Sequence, residues 1–174
     1  SVVSLQFAYT LQQAAPMFKY FGRGETAARF VNLADRIAKN TYLHCFDAIK
    51  MEMANTPQKN SFSQHAGIMG ILANAIPAEK QKQALEKVLY DSSLSQATFY
   101  YRFYLTRAMI KAGLGNLYYS QLTPWLDMLQ MGLKHLAEQP DPTRSDCHAW
   151  SASPTYAFLA NLCGILPDAH RFKE

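Results

Sequence analysis

The sequence predicts an all-α fold, and three observations lead to that class. Apolar residues recur at helical spacing along most of the chain, and no segment keeps the apolar–polar alternation of a half-buried strand. The breaks between apolar runs carry Gly, Pro or Ser. The 174 residues are 49% hydrophobic and 17% charged, which excludes a disordered chain and provides for a sizeable core. We therefore expect one all-α domain over residues 1–174.

Two long helices are predicted at the start of the chain. The first carries an apolar stripe from Leu5 to Phe18, and Pro16 is expected to kink or break it. The second follows a turn at Gly22–Gly24 and has its apolar face on Ala27, Phe30, Val31, Ala34, Ile37 and Ala38.

The middle of the chain predicts three helices separated by polar turns. Residues 51–60 are polar and irregular, after which Ser61 is expected to cap a helix over Phe62–Ile76. Pro77 ends that helix and starts the next, which precedes a Ser-rich loop at residues 91–96. The following helix is predicted from the spacing of Tyr101, Leu105, Ala108, Met109 and Ala112.

Two more helices are predicted near the end, on either side of a long loop. Pro124 is expected to kink the sixth helix or to start its second half. The helical pattern then lapses from Gly132 to Ala152, and a loop of that length is often functional. Ser153 is a good N-cap for a last helix that runs to Ile165.

Charge, cysteines and motifs exclude several function classes. The net charge is +4, with a pI near 8.9, but the basic residues are scattered, so no nucleic-acid partner is expected. No apolar run is long enough to predict a membrane span. The three cysteines form no CxxC pair, which favours free thiols over a zinc site, and no nucleotide-binding motif is present.

The long loop concentrates the residues that could perform chemistry. Its acidic, basic and aromatic members are Glu138, Asp141, Asp146, His135, His148, Arg144 and Trp150. Carboxylates beside an aromatic ring suit a sugar, because they accept hydrogen bonds from hydroxyls while the ring covers an apolar sugar face. The other reading is an ordered polar loop in which His148 and Asp146 bind the loop's own backbone.

The order of residues in this loop resembles a known family. The run Arg-Ser-Asp-Cys-His-Ala-Trp-Ser-Ala-Ser-Pro at residues 144–154, preceded by Ala137-Glu138, resembles the bacterial α-L-rhamnosidases of glycoside hydrolase family 78. Three shorter stretches resemble that family in the same order, namely Asn60–Ala66, Tyr101–Leu105 and Gly164–Pro167. The resemblance extends from Gly24 to the end of the chain.

The resemblance implies a fold, an activity and site residues. The fold is a toroid of six α-hairpins, of which this α-hairpin array would form about half. The activity is the inverting hydrolysis of terminal α-L-rhamnose from glycosides or polysaccharides, without a metal ion or organic cofactor. Glu138 stands at the general-base position, and His148 and Trp150 stand at positions that line the rhamnose pocket. Inversion requires a second carboxyl group as the acid, on the other face of the sugar.

No counterpart of that family's acid motif occurs in this sequence, and the chain begins at Ser1 without an initiator Met. We therefore expect the C-terminal part of a rhamnosidase catalytic domain, inactive by itself, that lacks its upstream half and any β-domain that follows. Cut helices should leave an apolar edge, first at the Leu5-to-Phe18 stripe, and promote self-association. The resemblance alone suggests a periplasmic or secreted protein.

A function from another class stays open at this point. The chain could be a non-catalytic helical module that binds carbohydrate or protein. The position of Glu138 relative to His148 and Trp150 distinguishes the two, because a plain interaction module has no reason to bring these three side chains together.

Overall fold

The computed structural model describes residues 1–139 and 142–166 and confirms the all-α class. The α-helices over these residues are α1 (Val2–Tyr20), α2 (Gly24–Cys45), α3 (Gln64–Leu72), α4 (Ala78–Tyr90), α5 (Phe99–Lys111), α6 (Thr123–Gln130) and α7 (Ser153–Ala157). Shorter elements are strands β1 (Phe46–Asp47) and β2 (Glu52–Met53), 3₁₀ helices Gly115–Gln121 and Ala149–Ala152, and a π-helix Phe158–Leu162.

The chain divides into two compact units. The first unit is formed by Ser1–Ala97 with Lys111–Gly113, and the second by Thr98–Ile110 with the residues from Leu114 onward. The expectation of one domain over residues 1–174 stays a prediction. No helix in the described ranges combines the length and the apolar character that a bilayer span requires.

Helix α1 packs against α2 and α3 in the first unit, and the expected break at Pro16 does not occur. The helix continues through Pro16 to Tyr20. A proline inside a helix costs about 3 kcal/mol, and the burial of Leu5, Ala8 and Leu11 offsets that cost. In the predicted Leu5-to-Phe18 stripe, the residues up to Ala15 belong to the core and Phe18 is exposed, and the expected self-association stays a prediction. The exposed apolar residues of α1 and the turn after it are Val3, Phe7, Met17, Phe18, Tyr20 and Phe21.

Helix α3 is buried on every side, which makes it the centre of the first unit. Its N-cap is Ser63 and not Ser61, because the Ser63 hydroxyl accepts a hydrogen bond from the backbone N of Ala66 at 3.3 Å. The helix ends at Leu72, short of the predicted Ile76, and Asn74 adopts a left-handed conformation with φ 57°.

Gln64 ties the loop after α4 to α3. Its side-chain Nε2 donates to the carbonyl of Val88 at 2.8 Å, and its Oε1 accepts from the backbone N of Ala97 at 2.8 Å. Its backbone N donates to the carbonyl of Ser95 at 3.1 Å. The Ser-rich loop at residues 91–96 is thus fixed at both ends by one buried residue.

A small antiparallel hairpin replaces part of the segment that was predicted to be irregular. Phe46 pairs with Met53, and Asp47 pairs with Glu52. The Asp47 carboxylate closes the turn by accepting from the backbone N of Ile49 and of Lys50, each at 3.0 Å. Strands of two residues are too short to produce an alternating pattern, which is why the sequence did not reveal them.

The second unit has its core beneath the long loop. Phe99, Met128 and Ala137 are buried together, and Trp125, Leu133 and Leu136 pack against them. Pro124 lies in the first turn of α6. Of the two predicted options, a kink or a helix start, the helix start is therefore the one observed. The segment between α6 and the 3₁₀ helix at Ala149 has no helix in its described part, as predicted. Helix α7 begins at Ser153, with Ala152 as its N-cap in place of the predicted Ser153.

Candidate active site

The long loop of the second unit is fastened at its two ends. Ala137 is fully buried, and its carbonyl accepts a hydrogen bond from the Ser151 hydroxyl at 2.5 Å. The carbonyl of Ser151 in turn accepts from Nε1 of Trp125 at 2.8 Å. These bonds place the residues that follow Ala137 beside the residues that precede Ser151.

Backbone hydrogen bonds close the loop between these ends. The backbone N of Glu138 donates to the carbonyls of Ser145, at 3.0 Å, and Arg144, at 3.2 Å. The backbone N of His148 donates to the carbonyl of Leu136 at 2.7 Å. Ser145 has φ 51°, so the chain reverses at a non-glycine residue in the left-handed region. The result is a closed loop with Glu138 at its base.

The carboxylate of Glu138 is paired with the guanidinium of Arg144. Nε of Arg144 lies 2.8 Å from Oε2, and Nη2 lies 2.5 Å from Oε1, so the contact is bidentate. The Glu138 side chain is only 13% exposed, whereas that of Arg144 is 69% exposed. The pair therefore has its cation on the solvent side and its carboxylate on the inner side.

This pairing sets the protonation state of Glu138. The hydrogen bonds from Arg144 lower the pKa of the Glu138 carboxyl, and the charges of Arg144 and His148 lower it further. Partial desolvation acts in the opposite direction but does not outweigh the cation. Glu138 is therefore an ionised carboxylate at neutral pH, which is the state that a general base requires.

His148 and Trp150 lie together beside this carboxylate. Their ring centroids are 4.4 Å apart, and Nε1 of Trp150 donates to the backbone carbonyl of Glu138 at 3.3 Å. Nδ1 of His148 lies 2.8 Å from the hydroxyl of Ser145. The structure thus brings the three predicted site residues together. We call Glu138, Arg144, His148 and Trp150 the Glu138 cluster. The structure does not test their roles.

Tyr100 is an additional aromatic residue at the cluster. It belongs to the first turn of α5, and its ring centroid lies 5.4 Å from that of Trp150. Both rings are 42% exposed, so they offer an apolar surface to a ligand. The sequence placed Tyr100 in an aromatic run at a helix start, and that run does not identify which ring meets Trp150.

The other polar residues of the loop take no part in the cluster or fall outside the described residues. His135 and Asp146 are exposed, and Asp141 lies outside the described residues. Nδ1 of His148 shares a hydrogen bond with the Ser145 hydroxyl, which is a side chain of the same loop and not the backbone that the self-ordered reading expected. The sequence listed Arg144 as a loop residue, but only the fold shows it as the partner of Glu138. The described residues hold no group of three or more His, Cys, Asp or Glu side chains arranged for a metal ion.

Comparison with known proteins gives one informative result. No family model matches this sequence, and no curated protein matches it. A solved rhamnosidase from Klebsiella oxytoca with rhamnose bound is similar in structure, with a TM-score of 0.81 and 19% sequence identity. The alignment covers 94% of this chain and 34% of the rhamnosidase, so the chain spans about a third of that protein's length. The chain therefore has a rhamnosidase-like fold.

Proposed function

We propose that this chain is part of an inverting α-L-rhamnosidase of the bacterial glycoside hydrolase family 78 type, which removes terminal α-L-rhamnose from glycosides or polysaccharides. The observation that carries the proposal is the Glu138 cluster, in which an ionised carboxylate lies beside His148 and Trp150. The similarity to a rhamnosidase fold supports the choice of sugar.

In this proposal Glu138 is the general base. Its carboxylate takes a proton from a water molecule as the water oxygen attacks the anomeric carbon and the glycosidic C–O bond breaks. Arg144 occupies one position on each carboxylate oxygen, and each oxygen has a second lone pair for the water. The cation also fixes the orientation of the carboxylate, which the attack of a single water requires.

His148 and Trp150 are the proposed rhamnose-binding residues, and Tyr100 extends their surface. A sugar presents C–H groups on one face and hydroxyls at its edge. The Trp150 and Tyr100 rings suit the face, and the imidazole of His148 can exchange hydrogen bonds with a hydroxyl.

The proposal requires a general acid on the opposite face of the sugar, from a part of the protein beyond the Glu138 cluster. The two carboxyl groups of an inverting glycosidase stand roughly 6.5–9.5 Å apart. General acid–base assistance contributes about 10²–10⁴-fold to the rate. We therefore expect the 174-residue chain alone to give no measurable hydrolysis. The kinetic test uses the complete enzyme.

Two measurements on the complete enzyme test the function. With an aryl α-L-rhamnoside as substrate, proton NMR should detect β-L-rhamnose as the first product, because inversion changes the anomeric configuration. Glu138→Gln should lower kcat by about 10²–10⁴-fold with little change in KM. Asp146→Asn is the matched control, since it neutralises an exposed carboxylate of the same loop.

Two results would contradict this assignment. Glu138→Gln with the kcat of the wild type would remove the general-base role. An α-anomer as the first product would replace inversion by retention and would require a different use of the carboxylates.

A non-catalytic carbohydrate- or protein-binding module is the second candidate, and the bidentate Arg144–Glu138 pair favours it. An ion pair of this kind also stabilises a loop that has no catalytic role. This candidate predicts that the complete protein binds rhamnosides without hydrolysing them and that Glu138→Gln lowers stability but changes no rate.

A further inference from the structure

The first unit contains two adjoining clefts around the C-terminal end of α4. One has a volume of about 570 Å³ and is lined by Gln83, Glu86 and Tyr90 with the residues after them. The other has about 560 Å³ and lies among the β1–β2 hairpin, residues 60–62 and residues 93–95. Lys87 and Asp91 line both clefts, so the clefts adjoin at these two residues, and we call the two clefts together the groove. Each part has the size of an ordinary small-molecule site.

The walls of this groove mix hydrogen-bond donors with acceptors. Lys50 and Lys87 are donors, Asp91 is an acceptor, and Asn60 offers both functions. Serine hydroxyls from the loop after α4 add groups that donate and accept. A ligand with many hydroxyls suits such a wall, because each hydroxyl donates one bond and accepts others.

An exposed aromatic ring stands in the first cleft. Tyr90 is the last residue of α4, and it is 70% exposed although its ring is large and apolar. A tyrosine ring presents an apolar face for stacking and a hydroxyl at its edge. The face of a pyranose ring and its hydroxyls match these two features.

The second cleft contains a pair of carboxyl groups, those of Glu52 and Asp91. Glu52 is only 7% exposed and lies beside Asp91. Burial raises the pKa of Glu52, and the negative charge of Asp91 raises it further, while Lys50 and Lys87 act in the opposite direction. The Ser93 hydroxyl and backbone N hold Asp91 ionised by donating to it at 2.6 and 2.8 Å, which lowers its pKa. A carboxyl group with a perturbed pKa that also lines a cleft is a candidate for ligand contact.

From the groove, its exposed ring and its carboxyl pair we infer that the surface formed by α4, the β1–β2 hairpin and the loop at residues 91–95 binds an oligosaccharide. Because Asp91 lines both clefts, a ligand that fills them places at least two consecutive sugar units along the groove. Tyr90 stacks on one unit, and Asp91 with Glu52 binds the hydroxyls of the next. The choice of a carbohydrate rests on the proposed function, but the groove uses none of the residues of the Glu138 cluster.

Binding of defined oligosaccharides to the 174-residue chain tests the inference. The probes are a tetrasaccharide of L-rhamnose and cellotetraose, followed by isothermal titration calorimetry and by ¹⁵N–¹H NMR. We expect the rhamnose tetrasaccharide to bind and to shift the amide signals of residues 86–95. Tyr90→Ala and Asp91→Asn should each weaken its binding by about tenfold or more, a loss of about 1.4 kcal/mol.

Two control variants make the result specific. Tyr20→Ala removes a tyrosine of similar exposure, 69%, at the end of α1, and it should leave the affinity unchanged. Lys134→Ala, which removes an exposed cation of the second unit that has no role in the Glu138 cluster, should also leave groove binding unchanged. Circular dichroism of each variant checks that the fold is intact.

The outcomes separate this inference from the proposed function. Tyr90-dependent binding of either tetrasaccharide supports the groove, and binding of cellotetraose alone supports the groove while weighing against rhamnose as its sugar. If neither probe binds at millimolar concentration, or if binding is the same in Tyr90→Ala, the inference is overturned. Hydrolysis by the complete enzyme is unaffected by either result and decides the proposed function on its own.

Discussion

Arg144 binds both carboxylate oxygens of Glu138, through Nε at 2.8 Å and Nη2 at 2.5 Å, across six positions of the same loop. Two parallel hydrogen bonds restrict the carboxylate to one plane. Because the backbone N of Glu138 also donates to the carbonyl of Arg144, both the main chain and the side chains connect these residues. The loop therefore fixes the orientation of its own carboxylate before any ligand arrives.

Arg144→Ala should raise the pKa of Glu138 towards its ordinary value, because the hydrogen bonds and the positive charge that lower it are removed. Stability that depends on this lowered pKa is present above the ordinary value and is lost as the pH falls through the folded-state value. Near neutral pH, Arg144→Ala should therefore have a lower free energy of unfolding than the wild type, and the difference should shrink as the pH falls. A ¹³C NMR titration of the Glu138 carboxyl measures the shift.

Lys134→Ala is the control for this titration, since it removes an exposed cation of the same loop. It should leave the Glu138 titration close to that of the wild type. If Arg144→Ala does not move the titration either, then the ion pair does not determine the charge state of Glu138.

Ser151→Ala should destabilise the second unit by about 1–3 kcal/mol, the cost of leaving a buried polar group unsatisfied. Ser151 is fully buried, and its hydroxyl satisfies the carbonyl of Ala137 at the base of the loop. Urea unfolding followed by circular dichroism gives the free energy of unfolding. Ser120→Ala, which removes an exposed hydroxyl bonded to Leu117, should change it by no more than about 0.5 kcal/mol. Equal effects of the two substitutions would be inconsistent with the anchoring role of Ser151.

The wild type should lose stability as the pH rises, and Glu52→Gln should reduce this loss. The folded state raises the pKa of Glu52, so the stabilisation by its proton is complete below the ordinary value of 4.5. It is then lost as the pH rises through the raised value. Urea unfolding between pH 4 and pH 8 should show a smaller decline for Glu52→Gln than for the wild type. The control is Glu86→Gln, and a decline unchanged by Glu52→Gln would contradict the assignment.

Gly67→Ala should destabilise the first unit by about 1–3 kcal/mol through overpacking. Gly67 lies on the buried helix α3, where an added Cβ would overlap Cγ2 of Val88. The same substitution in a Val88→Ala background should cost less, because the overlapping methyl group is gone. Gly24→Ala is the control, since a Cβ there meets open space. Additive effects at residues 67 and 88 would show that the two positions do not contact.

Sequence periodicity predicted the helices well where one face is buried over several turns. Helices α1, α2, α4 and α5 follow such stripes, and the long loop before α7 follows from their absence. The ends were less accurate, because Ser61 and Ser63 are equally good caps by residue type, and Ser63 is held by contacts outside the helix, with Asn55 and Ser95, that the sequence does not reveal. Pro16 misled the prediction because local propensity yields to packing when the helix buries a full face.

The candidate site was predicted in part. Glu138, His148 and Trp150 were selected by their resemblance to a family motif, and their proximity follows from the bonds of Ala137 and Ser151. Arg144 and Tyr100 could not be assigned from the sequence. The first becomes a partner of Glu138 only when the loop closes, and the second comes from a different element, α5.

The anchoring of the Ser-rich loop by Gln64 has a consequence for the evolution of this protein. Because one buried amide holds Val88 on one side of the loop and Ala97 on the other, the positions between them can change in sequence without loosening the helices. In the groove inferred above, the loop residues that would contact a ligand are thereby separate from the residue that anchors the loop. A library randomised at residues 92, 93 and 95 should retain mostly folded members, as antibody loops do on a constant framework.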